Sequence, residues 1–202
     1  MFTVTVRLGE YDTSTDTEIP MHEDFAARRI IIHKEFKVPP KIDNDIALIQ
    51  LDAPVSFKPH ITPICLPESG VSFQNQEALV SGWGRTSNSL GWHPGKLQIV
   101  RVKVVSNAEC ATHMQTYNGT IVINAGHLCA GANSSSTCGG DSGGPLVVST
   151  NGRAVLIGLA AQAYFDCEMP NMLGVYTNVS THVQWIRANT DRRSLLTGSH
   201  WA

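Results

Sequence analysis

The sequence predicts an all-β protein of antiparallel strands, and two features point that way. Short β-branched apolar runs recur at residues 30–32, 99–105, 121–123 and 154–159. Clusters of Gly, Asn, Ser and Pro stand between them, the punctuation of turns joining short strands. No repeat, low-complexity linker or break in composition divides the 202 residues, so a single domain is expected. Taken in order, residues 30–32 (Ile-Ile-Ile) read as a strand ending at His33. Residues 46–51 read as a buried strand entered directly after Asp45. The runs at 99–105, 121–123 and 154–159 supply the strands of the second half.

Composition narrows the function before any motif is considered. With 42% hydrophobic and 16% charged residues, the chain is long enough to bury a sizeable core. A formal net charge of −2 gives no basis for binding nucleic acid or an anionic membrane. No apolar run approaches the roughly 20 residues that cross a bilayer. No signal segment and no cofactor or metal-ligand motif stands out.

One string carries chemistry. Residues 138–146 read CGGDSGGPL, a small hydroxyl residue in a nest of glycines directly after a carboxylate. Such a turn lets successive backbone N–H groups aim at one point, which is how developing negative charge is held. The whole string resembles the nucleophile loop of the chymotrypsin-like (trypsin-fold) serine proteases. The resemblance makes Ser142 the nucleophile, with Gly140 and Ser142 as the oxyanion donors. Asp141 becomes the carboxylate that an activation-derived amine would pair with.

Other segments are similar to the same family over most of the chain: NDIALIQL at 44–51, PICLP at 63–67, SGWG at 81–84 and GVYT at 174–177. On this resemblance Asp45 is the acid that orients the base, and residues 182–187 belong to a C-terminal helix. The implied architecture is two six-stranded antiparallel Greek-key barrels with a C-terminal helix, the first barrel incomplete. The implied activity is peptide-bond hydrolysis through an acyl-enzyme, with a protein or peptide substrate, no cofactor and an extracellular setting. Three Asn-x-Ser/Thr sequences, at Asn118, Asn133 and Asn178, are consistent with secretion.

The sequence departs from the family at the base. The family order His, Asp, Ser requires a histidine before Asp45, carried in an Ala-Ala-His-Cys motif, and no such motif is present. His22 and His33 alone precede Asp45. The opening VRLGEYD at residues 6–12 is similar to the strand that follows the base, particularly in arthropod clip-domain members. The expectation is a truncated domain, inactive as it stands, with residues 192–202 a frayed tail; the alternative is a non-catalytic homologue acting as a regulatory or binding partner in an extracellular proteolytic cascade.

The pocket follows from the same alignment. Ser136 replaces the Asp that trypsin-like enzymes keep at the base, so a buried cation has no counter-charge there. Thr137, Ala161, Gln162, Ala163 and Gly174 complete the lining, which suits a moderate apolar side chain. Asp166 reads as a solvated loop acid. Among five cysteines, the resemblance pairs Cys110 with Cys129 and Cys138 with Cys167. Each bridge closes a loop of roughly 20–30 residues and contributes about 3 kcal/mol. Cys65 is left unpaired, and its family counterpart bridges to a light chain or clip domain.

Overall fold

The computed structural model describes residues 3–38, 42–86, 93–116, 121–132, 138–162 and 171–190. Strands β1 (Thr5–Leu8), β2 (Glu23–Ile32) and β3 (Ala47–Leu51) form a three-stranded antiparallel sheet in that order. Strands β4 (Glu77–Gly82), β5 (Gln98–Val105), β6 (His127–Gly131), β7 (Pro145–Thr150), β8 (Arg153–Gln162) and β9 (Leu173–Asn178) follow. They close into a barrel in the order β4-β5-β6-β9-β8-β7. The expected all-β class, a complete second barrel and a partial first one are therefore what the chain builds.

Alternation explains the barrel. Inward residues of each strand, among them Val104, Leu146, Ile157 and Tyr176, are fully buried and meet in one core. The β7–β8 hairpin turns on Asn151 and Gly152, both at positive φ, the backbone a tight two-residue hairpin requires. The first sheet is packed less completely. Ile30 and Ile49 face each other across β2 and β3 yet remain 45% and 46% exposed, and neighbouring Ile32 is 62% exposed.

Two helices complete the chain, α1 (Asn107–Thr116) and α2 (Val179–Asn189). The second is the expected C-terminal helix, longer than residues 182–187. Asn178 caps it, its side chain accepting from Ser180 N at 3.1 Å and donating to Ala125 O at 3.1 Å. That residue is buried, so it is no glycan acceptor. Asn118, Asn133 and residues 192–202 lie outside the described residues.

The sequence reading missed α1 and misread residues 121–123. Ser106 accepts from Glu109 N at 3.0 Å, the capping geometry of a Ser-x-x-Glu start. Residues 121–123 are not a strand: Ile121 is buried beside Met114 and Cys110, pinned by side-chain packing and not by a ladder. The Cys110–Cys129 disulfide joins α1 to β6.

The sheet and barrel meet at several points. Tyr11 O accepts from Leu97 N at 2.8 Å and Trp83 Nε1 at 3.2 Å. Ile46 packs with Val179 and Ile186 of α2.

Candidate active site

Residues 138–144 form a turn that leads into β7, with Ser142 exposed at its end. Gly143 N donates to Ala160 O at 2.7 Å and Ala160 N to Gly144 O at 2.8 Å. The turn is thus stitched to β8. Gly140 has φ 103°, a conformation that side-chain-bearing residues avoid. Among the described residues nothing partners the amides of Gly140 and Ser142, nor the Ser142 hydroxyl.

Asp141 turns away from the surface. Its carboxylate accepts from Gly84 N at 2.8 Å and from Cys138 N at 3.0 Å. It occupies the space that Cβ atoms at Gly82 and Gly84 would need. The SGWG string therefore owes both glycines to a carboxylate far along the chain. The resemblance assigned Asp141 to an activation-derived amine; here the backbone itself supplies two donors.

Asp45 lies just before β3. Its backbone carbonyl accepts from Thr177 Oγ1 at 2.8 Å on β9. Thr177 is one position from Tyr176, which pairs with Ala160, the anchor of the Ser142 turn. Asp45 and the Ser142 turn are thereby both tied to the middle of the β8–β9 pair, at Thr177 and Ala160. The Asp45 side chain is half-buried, and burial alone raises its carboxyl above the ordinary value. Among the described residues no group donates to that carboxylate.

Neither upstream histidine serves it. His22 Nδ1 stands 3.1 Å from Glu10 Oε2, within a cluster where Arg7 pairs with both Glu10 and Asp24. His33 sends its backbone N to Ile46 O at 3.1 Å, but its ring faces elsewhere. Its Nδ1 accepts from Glu35 N at 3.2 Å, and the ring lies edge-on to His182 and tilted against Trp185. Burial, then the neighbouring His182, hold the His33 imidazole below its ordinary value.

The pocket residues are partly visible. Ala161 packs against the cluster containing Cys129 and Val175, Gln162 pairs with Val175, and buried Gly174 pairs with Ala130. Ser136, Thr137, Ala163, Asp166 and Cys167 lie outside the described residues. Cys138 is disulfide-bonded, and Cys65 is an exposed free thiol. Among the described residues no group of three His, Cys, Asp or Glu is placed to hold a metal ion. No helix among them is long and apolar enough to cross a membrane.

The family profile described as Trypsin matches residues 2–186. The chain belongs to the trypsin family. This trypsin-family domain is 38% identical to Trypsin-1 of Astacus astacus over 183 residues, covering 90% of the chain and 73% of that protein. It is 37% identical to the serine protease filzig of Drosophila melanogaster over 186 residues, 91% of the chain. It is 35% identical to the inactive CLIP domain-containing serine protease A3 of Aedes aegypti over 187 residues, 90% of the chain. It spans 11% of filzig and 39% of the Aedes protein, so both relatives are much longer.

Proposed function

We propose that these 202 residues form a serine-endopeptidase domain that keeps nucleophile and orienting acid but does not cleave peptides by itself. The observation that carries this reading is the Asp45 carboxylate, half-buried and without a donor among the described residues, while His22 and His33 are engaged elsewhere. Without a base, Ser142 stays protonated near neutral pH and is a poor nucleophile. Losing a triad member removes several orders of magnitude of rate. Gly140 and Ser142 act as oxyanion donors, and Ser136, Thr137, Ala161, Gln162, Ala163 and Gly174 line an apolar-selective pocket. The setting is extracellular. Exposed Cys65, held between β8 carbonyl and amide groups at 3.2 and 2.9 Å, tethers a clip domain or light chain.

A fluorophosphonate probe tests the reading. No labelling of Ser142 is expected over hours at neutral pH. Stoichiometric labelling that a Ser142→Ala control abolishes would overturn it, and its loss in His22→Ala or His33→Ala would name the substitute base. A second reading is a working secreted endopeptidase whose base comes from residues other than these. The unused acceptor on Asp45 favours it. Its test is a chimera carrying a relative's Ala-Ala-His-Cys segment: recovered labelling, with apolar residues preferred over Arg or Lys at the cleaved bond, supports it, and a preference for Arg refutes Ser136 as the pocket base.

A further inference from the structure

We infer that two buried histidines, His127 and His182, are positioning residues that hold Asp45 in place through Ile42 and Asn44. The inference rests on reading Asp45 as the orienting acid, and it names what fixes that acid to the barrel.

Four successive residues leading into β3 are each gripped by a different side chain. His127, the first residue of β6, places Nε2 2.8 Å from Ile42 O. Asn124 Nδ2 donates to Asp43 Oδ1 at 2.7 Å. His182 of α2 places Nε2 3.2 Å from Asn44 Oδ1. Thr177 Oγ1 on β9 donates to Asp45 O at 2.8 Å. The grip on the acid therefore comes from the closed barrel and from α2.

The partners decide which ring nitrogen carries the hydrogen. A carbonyl only accepts, so His127 donates from Nε2, and its Nδ1 accepts from Asn124 N at 3.2 Å. Asn44 donates from Nδ2 to Glu35 O at 3.1 Å, which leaves its Oδ1 as the acceptor for His182 Nε2. Both histidines are nearly closed to water, His127 at 2% and His182 at 5% exposed. A buried N–H left without an acceptor is costly, so each ring holds its partner firmly.

The held backbone has a shape that needs holding. Ile42 has φ 27° and Asn44 φ 54°. Asn tolerates positive φ, but a β-branched residue there is strained, and such strain persists only where the surroundings over-determine it. Ile42 is itself buried in the cluster containing Met114, Cys129 and Val175. Side-chain packing and the His127 hydrogen bond together fix this kink, three residues before Asp45.

The test uses the intact chain labelled with 13C and 15N. Two-bond 15N–1H spectra of the unaltered protein should show both His127 and His182 protonated at Nε2. The Asp45 carboxyl, raised by burial, is then followed by its 13C shift against pH. His127→Phe removes the donor to Ile42 O, and the loosened segment should let water reach Asp45. The Asp45 titration should fall by at least about half a pH unit, toward its ordinary value of about 3.9. His182→Phe should act in the same direction. His127→Gln keeps an N–H donor and should leave the titration where it is in the unaltered chain. Asn44→Gly, which keeps the backbone shape and removes only the acceptor of His182, gives the same readout should a Phe variant fail to fold.

Amide resonances of β5, β8 and β9 verify that the barrel is folded in each variant. A histidine that only packs would change Tm and leave the Asp45 titration in place. Unmoved Asp45 titration in the folded variants, a Gln variant shifted as far as the Phe variant, or His127 protonated at Nδ1 alone would overturn the inference. Probe labelling of Ser142 tests the missing base separately, so either reading can fail without the other.

Discussion

Single residues show what the site lacks and what it keeps. The Asp45 carboxyl is raised by burial with no compensating partner among the described residues, so its ionised form is disfavoured in the folded state. A raised folded-state value means that stability is intact below the unfolded carboxyl value, about 3.9, and falls as pH rises through the folded one. Asp45→Asn should therefore raise Tm by about 2 °C at pH 7 and by nothing near pH 3.5, a modest effect because solvent screens a half-exposed group. A drop in Tm at pH 7 would show that Asp45 already has a partner. Asp141 is the opposite case, a carboxylate satisfied by Gly84 and Cys138 amides. Gly84→Ala puts a methyl group into that carboxylate and should cost about 1–3 kcal/mol. In an Asp141→Ala background the cost should shrink by at least about 1 kcal/mol, since the two positions share one space. Additive losses in denaturant unfolding would refute the shared-space account.

Elements differ in how firmly they are held. Strands β1 and β3 are both edges of the first sheet, and Ile30, Ile32 and Ile49 leave its face apolar and exposed. The barrel has no edge. Amides of β2 and β3 should exchange with solvent at least about a hundredfold faster than those of β5, β8 and β9. Uniform protection would show that the first sheet is covered in solution. The sequence announced the barrel well because β5 and β8 are rich in apolar residues, several of them β-branched, and turn residues precede each strand. Residues 121–123 carry the same composition without strand partners, and composition alone cannot tell an apolar run that packs from one that pairs. Helix α1 was legible in Ser106 and Glu109, a start signal weaker than the surrounding strand pattern. The nucleophile loop was legible because its string is local. The partners of Asp141 were not, because Gly84 lies 57 positions away and only closure of the barrel brings it near.

For the whole molecule, the cysteines test the chain tracing. Mass spectrometry of unreduced, thiol-blocked protein should recover the Cys110–Cys129 bridge, a Cys138–Cys167 bridge, and Cys65 blocked or joined between two chains. Cys65 bridged to any of the other four would break the alignment on which the site rests. The closed barrel also divides the labour of the site. Ser142 and its turn belong to the barrel and the segments joining its strands, whereas Asp45 comes from the open sheet. Cutting through a nucleophile and its orienting acid requires both halves in register. An open sheet that shifts on the barrel would therefore disarm the nucleophile while its turn stays folded.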